Sequence, residues 1–306
     1  MGVLDGKIAA VTGAGRGIGR GIALMFAREG AQVVVNDLGA ATDGTDRSNI
    51  ADEVVDEIRS AGGQAVANYE SVATVEGGQS ISQTALDNFG ALDILVNNAG
   101  ILRDRTIFNM EEADWDAVIA VHLKGHYCCT RPFARYIRET NRQGCRIINF
   151  SSVSGLYGNF GQSNYGAAKA GIAGFTRVLA LELAKYGTTV NAISPGAATR
   201  MTIHLREARG VKTDLDDPTQ SPGQIAPVVT WLASAAGQET TGQIIDVMQG
   251  WVGIMQQPAV IRSFSSDRFW TLEDLDDVMP ALLDAKREHD ERVKHQGQPT
   301  KLGQDR

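Results

Sequence analysis

The chain has 306 residues, 43% of them hydrophobic, and a formal net charge of −7. That length predicts one large α/β domain with a substantial core, and the negative balance argues against nucleic-acid partners and anionic membrane surfaces. No apolar run approaches the roughly eighteen residues of a membrane helix, and Cys128, Cys129 and Cys145 lack both a disulfide framework and metal-ligand spacing, so a cytoplasmic protein with no metal site and no membrane partner is expected.

Ile8-Ala9-Ala10-Val11 is an apolar run suited to a buried parallel strand. Thr12-Gly13-Ala14-Gly15-Arg16-Gly17-Ile18-Gly19 follows, then Ile22, Ala23, Phe26 and Ala27 at helical spacing. Strand, glycine turn and helix form the setting in which a loop holds a pyrophosphate, because the helix start offers free N–H groups and partial positive charge. Gln32-Val33-Val34-Val35-Asn36 reads as the second strand and ends at Asp37, about twenty residues past the loop, where a carboxylate accepts the ribose hydroxyls of NAD. A 2′-phosphate about 4 Å from it would cost roughly 4 kcal/mol per unit charge at an effective dielectric near 20. Arg16 argues the other way, since an arginine in the loop can bind that phosphate. The balance favours NAD.

Further strands are expected near 64–68, 92–97, 146–150, 189–194 and 243–247, seven in all, with helices between them. This alternation predicts a doubly wound parallel sheet of Rossmann type over residues 1–250. Residues 197–220 form an irregular charged stretch after the sixth strand, placed to act as a lid. From 251 to 306 a C-terminal extension is expected. Thr271 and Asp274 stand at N-cap and N3 spacing of a short helix that Pro280 ends or kinks, and a polar tail begins near Lys286.

Tyr165 and Lys169 are one helical turn apart in Tyr165-Gly166-Ala167-Ala168-Lys169, so phenol and ammonium share a face. A unit charge about 5 Å away at an effective dielectric near 20 favours the phenolate by roughly 3 kcal/mol, about two pKa units. The pair reads as a device for moving a proton on and off a hydroxyl.

The order Thr-Gly-x-x-x-Gly-x-Gly, Asn97-Asn98-Ala99-Gly100, Ser152, Tyr165-x-x-x-Lys169 and Pro195-Gly196 resembles the short-chain dehydrogenase/reductase family over roughly residues 5–250. The resemblance implies that Tyr165 exchanges the proton, that Lys169 also holds the nicotinamide ribose, and that Ser152, thirteen residues before Tyr165, stabilises the substrate oxygen. It implies further that Asn97, Ala99 and Gly100 line the cofactor cleft, which Pro195, Gly196 and Thr199 extend. A dimer or tetramer is implied as well, with the helices near 114–137 and 163–186 meeting their symmetry mates.

One position departs from the family. Val121-His122-Leu123-Lys124-Gly125 carries His122 where an asparagine usually supports a proton relay. Either His122 is satisfied within a helix interface, or its imidazole takes the asparagine's part. That segment, with Val33–Gly39, Asn97–Arg105 and Gly155–Gln162, is similar to a narrower branch: the (3R)-hydroxyacyl-CoA dehydrogenase unit of the peroxisomal multifunctional β-oxidation enzyme. The resemblance implies NAD-dependent oxidation of a (3R)-3-hydroxyacyl-CoA, an acyl-CoA being the small-molecule partner. A steroid or steroid-CoA dehydrogenase and a 3-oxoacyl-acyl-carrier-protein reductase stay open, with a non-catalytic NAD sensor more remote. Arg103, Arg105, Arg200 and Arg206 are candidate contacts for the CoA phosphates.

Overall fold

The protein is described from a computed structural model over residues 1–39, 48–196, 221–248 and 250–296. Seven parallel strands run β1 Ile8–Thr12, β2 Gln32–Asn36, β3 Gln64–Asn68, β4 Ile94–Asn97, β5 Arg146–Phe150, β6 Thr189–Pro195 and β7 Ile244–Met248. An eighth, β8 Trp251–Ile254, pairs antiparallel with β7. The order across the sheet is β3-β2-β1-β4-β5-β6-β7-β8. The chain therefore reverses direction of travel between β3 and β4, and the glycine turn after β1 lies at that switch, where doubly wound sheets bind ligands.

Side chains alternate between the two faces of the sheet. Ala9, Val11, Val33, Val35, Val96 and Ile148 meet α1 (Gly17–Arg28), α2 (Ile50–Ser60) and α8 (Ala226–Ala233). Ile8, Ala10, Val34, Leu95 and Ile147 meet α3 (Val75–Phe89), α5 (Gly125–Thr140) and α7 (Ser163–Glu182). Both faces are covered, so the strands read as unbroken apolar runs. Two shorter helices, α4 (Glu112–Ile119) and α6 (Val153–Leu156), lie near the strand ends that build the site. Among the described residues, no helix is long and apolar enough to cross a membrane.

Among the described residues the sheet has eight strands where seven were expected. The first compact unit runs from Met1 to Met255. Gly250, at φ 79°, supplies the left-handed residue of the tight turn between β7 and β8. Trp251, Val252 and Ile254 face solvent on this edge strand, so they lack the buried pattern that marks the other seven. The second unit begins at Gln256 and holds α9, Leu272–Gln296. Thr271 Oγ1 accepts from the Asp274 N–H at 3.2 Å while Asp274 Oδ2 accepts from the Thr271 N–H at 2.8 Å, a reciprocal cap. The helix passes through Pro280 and continues beyond Lys286, where a polar tail was expected. Ion pairs one turn apart, Lys286 with Asp290 and Arg287 with Asp284, lie along the extra turns.

Candidate active site

The glycine turn is held from two sides. Gly13, at φ 63°, has Ala99 so close that a Cβ would come within 2.8 Å of the Ala99 Cα. Asn98 Nδ2 donates to the carbonyls of Thr12 and Gly13 at 2.9 and 3.0 Å, tying β4 to the turn. The N-terminus of α1 carries no capping side chain and no acid in its first turn. Its N–H groups, at Gly17, Ile18 and Gly19, are thus left for an anion. Asp37 Oδ2 accepts from the Gly15 N–H and Oδ1 from the Gly39 N–H, both at 2.8 Å, which fixes the carboxylate beside the turn. Arg16 is half-buried, with its guanidinium 3.5 Å from Ser48 Oγ. An uncapped helix start and a carboxylate held at the end of β2 fit a nicotinamide dinucleotide.

Asn97 sits differently from its neighbours. Its side chain turns into the core, donating to Thr130 Oγ1 at 3.1 Å and Asn149 Oδ1 at 3.0 Å, and is 2% exposed. It braces β4 against β5 and α5 instead of facing outward, whereas Ala99 and Gly100 are partly exposed. Pro195 and Gly196 lie at the end of β6, where the Gly196 N–H donates to the Val247 carbonyl at 2.8 Å. Thr199, Arg200 and Arg206, and the lid stretch with them, lie outside the described residues.

His122 occupies a π-helical turn, Ala120–Lys124, between α4 and α5. Such turns interrupt the regular ladder and gather at functional sites. Its Nε2 is 2.8 Å from the Ile101 carbonyl and 3.2 Å from the Ile101 N–H, while Nδ1 is buried with no hydrogen-bond partner among the described residues. Burial, then the nearby Lys169 charge, holds its pKa well below the ordinary imidazole value, so the ring is neutral.

Ser152, Tyr165 and Lys169 come together where β5 ends and α6 and α7 begin. Ser152 is the N-cap of α6, its Oγ accepting from the Ser154 N–H at 3.2 Å. Tyr165 is half-buried and stands on the first turn of α7. Asn164 secures that turn: its Oδ1 accepts from the Tyr165 N–H at 2.7 Å, and its Nδ2 donates to the carbonyls of Arg103 and Asp114. Lys169 is buried, its Nζ 5.4 Å from the Tyr165 ring centroid and donating to the Phe150 carbonyl at 2.6 Å.

The electrostatics differ from the sequence-based expectation. Burial raises the Tyr165 phenol to about 12; a hydrogen bond from Ser152 opposes the rise and Asp104 adds to it. Burial lowers the Lys169 amine to about 7. An amine near its own midpoint is charged only part of the time, and it spends its proton on Phe150. Desolvation thus outweighs the attraction that would have lowered the phenol.

Three polar residues escaped the sequence reading. Gln162 is buried, accepts from Ser154 Oγ and Asn159 Nδ2, and donates to Asp104 Oδ2, each at 2.7 Å. Asp104 is partly buried, and burial raises its carboxyl above the usual range. His126 is fully buried beneath His122. Two histidines four residues apart were a readable signal for a shared helix face; a loop glutamine offers none.

The family model for the short chain dehydrogenase matches residues 7–210. The peroxisomal multifunctional enzyme type 2 of Drosophila melanogaster is 44% identical over 288 residues, covering 92% of this chain and 46% of that one. The chain therefore spans about half the length of that relative or less. A hydroxyacyl-CoA dehydrogenase of Mycobacterium tuberculosis is 42% identical, with 86% of this chain and 84% of that one covered. A 3-oxoacyl-acyl-carrier-protein reductase of Synechocystis is 41% identical, with 82% and 99% covered. The crystal structure of a short chain dehydrogenase from Mycobacterium avium superimposes with a TM-score of 0.82 at 45% identity, covering 93% of this chain and 97% of that one. With the glycine turn at the sheet's switch point and the Ser152-Tyr165-Lys169 group at the end of β5, the chain belongs to the short-chain dehydrogenase family, on the side of it that includes the dehydrogenase part of the peroxisomal multifunctional enzymes.

Proposed function

We propose that this chain oxidises the 3-hydroxyl of a (3R)-3-hydroxyacyl-CoA to the 3-oxo group with NAD⁺. The observation that carries the reading is the Tyr165 phenol, hydrogen-bonded by Ser152 and one helical turn from Lys169, beyond the carboxyl end of the sheet. When bound, NAD⁺ supplies the hydride acceptor. Tyr165 takes the proton of the substrate hydroxyl, and Ser152 donates a hydrogen bond to the same oxygen as it becomes a carbonyl. Tyr165 accepts that proton in its phenolate form and becomes the phenol, and Lys169, when protonated, favours the phenolate from one helical turn away. His122 holds the Ile101 backbone beside the phenol. Asp37 favours NAD⁺ over NADP⁺ by repelling a 2′-phosphate. The acyl-CoA assignment draws support from the relatives' names, and the free, buried thiols fit a reducing cytoplasm.

The acyl-carrier-protein reductase reading has one observation on its side. A phenol held near 12 is protonated at neutral pH, the state that donates in the reducing direction. Turnover of hydroxyacyl-CoA, hydroxysteroid and 3-oxoacyl-carrier substrates, each with both dinucleotides, distinguishes the readings through the absorbance of the reduced nicotinamide. A kcat/KM highest for the carrier-bound substrate with NADPH would replace the proposal. Tyr127, Val178 and Leu181 are exposed on α5 and α7 and offer an apolar face to a second copy. A homodimer or homotetramer is expected by light scattering, and Leu181→Glu should dissociate it.

A further inference from the structure

We propose that His126 is a positioning residue, whose ring ties the π turn carrying His122 to the end of β5, where the Phe150 carbonyl holds Lys169. The inference rests on the roles just given to Lys169 and Tyr165. His126 is 2% exposed. Its Nδ1 lies 2.7 Å from the His122 carbonyl oxygen, and its Nε2 lies 3.4 Å from the Phe150 nitrogen. A carbonyl only accepts, so the His122 oxygen at 2.7 Å places the hydrogen on Nδ1; the Nε2 lone pair then faces the Phe150 N–H, with the Asn97 backbone also close to the ring. Burial, with Lys169 close by, drives the imidazole down to about 3. The ring is therefore neutral across the working pH range and serves as a fixed donor–acceptor bracket.

What the bracket joins gives it consequence. Phe150 receives His126 on its N–H and Lys169 Nζ on its carbonyl, the latter at 2.6 Å. His122, on the other end, meets the Tyr165 ring edge-on and holds Ile101. A displacement of the Phe150 peptide moves the amine acceptor; a displacement of the π turn moves the imidazole against the phenol. An apolar ring of the same size would fill the space and leave both backbone groups without this tie. The groups facing the Lys169 amine are Tyr165 on its own helix, His122 on the π turn and His126 on α5.

The test compares the wild type with His126→Phe, which keeps the ring volume, and His126→Asn, whose amide can donate where Nδ1 does. In the protein without substrate or dinucleotide, carbon-13 labelling at the lysine ε position reports the Lys169 titration directly. We expect His126→Phe to lower its midpoint by about half a unit or more, because the charged amine loses a well-placed acceptor, and His126→Asn to restore it. In turnover, His126→Phe should lower kcat about tenfold with both KM values within about twofold. Nitrogen-15 spectra of the wild type should show the neutral Nδ1–H tautomer at residue 126 from about pH 5 to 9.

A wild-type Lys169 midpoint and kcat in folded His126→Phe would overturn the proposal and leave His126 a packing residue. If that variant does not fold, the Nε2–H tautomer in the wild type would overturn it independently. Because the spectroscopic measurements need no substrate, expected titrations alongside absent hydroxyacyl-CoA turnover would remove the proposed function while upholding the positioning of Lys169.

Discussion

The imidazole of His122 stands edge-on to the phenol of Tyr165, with ring centroids 5.1 Å apart and planes at 89°. Gly100 lies against the same imidazole: a Cβ there would come within 2.4 Å of Cε1. The histidine at this position thus depends on the last glycine of Asn97-Asn98-Ala99-Gly100. Gly100→Ala is expected to push the ring and lower kcat by about one to two orders of magnitude. Adding His122→Asn, a shorter side chain, should recover part of the loss. A double variant no better than Gly100→Ala would place the damage in the backbone and not in the ring contact.

Tyr165→Phe keeps the ring and removes the exchanged proton. Turnover should fall by about 10²–10⁴-fold, with NAD binding, followed by fluorescence, changed by no more than a few-fold. In the wild type, the phenol held up to about 12 means that kcat/KM for oxidation climbs about tenfold per pH unit as the phenolate fraction grows. A plateau already at neutral pH would show an ionised phenol and refute the dominance of burial.

Asp37→Ala removes the repulsion that excludes a 2′-phosphate and strips partners from the Gly15 and Gly39 N–H groups. The ratio of kcat/KM for NAD⁺ over NADP⁺ should fall by about tenfold or more, with NAD⁺ use itself weakened. A wild type that prefers NADP⁺ would move the determinant to Arg16.

Lys169→Met bears on stability. The folded amine titrates at about 7 and the free side chain at 10.5, so between those values the unfolded chain holds more protons. Stability therefore rises with pH across that window, and the full penalty of the buried amine is present below it. The methionine variant should be more stable than the wild type at pH 6, by an amount on the order of a few kcal/mol. Its advantage should shrink toward pH 10, as read by urea unfolding at each pH. An advantage that does not change with pH would mean that Lys169 is not titrating inside the fold.

Arg103 is engaged with Asp114 at 3.4 Å, whereas Arg105 is exposed, with Nη1 on the Asp104 carbonyl. Arg105→Ala is expected to raise KM for an acyl-CoA about three- to tenfold and leave a hydroxy ester without the nucleotide unaffected. Equal KM values would leave CoA recognition to other residues.

Much of the fold was legible because parallel strands buried on both faces appear as short apolar runs. β1 as Ile8–Thr12 and β2 as Gln32–Asn36 follow directly from Ile-Ala-Ala-Val-Thr and Gln-Val-Val-Val-Asn. Local spacing pointed to Tyr165 and Lys169, one helical turn apart, and the resemblance in motif order pointed to Ser152, since both kinds of signal survive in the linear chain. β8 was not legible, because Trp251-Val252-Gly253-Ile254 is exposed and takes its conformation from hydrogen bonds to β7. Nor could Pro280 tell that α9 continues past it.

What only the tertiary structure decided is the environment of those same residues. Sequence spacing placed Lys169 one turn from Tyr165, and elementary electrostatics then predicted a lowered phenol. Folding buries Lys169 and partly buries Tyr165, directs the amine to Phe150 and reverses the sign. It also separates Asn97 from Asn98, adjacent in the motif: β-strand alternation sends the first into the core and leaves the second to brace the glycine turn. Residue type and spacing determine which chemistry is available; burial and long-range hydrogen bonds, which no local pattern encodes, determine the charge state in which each group waits.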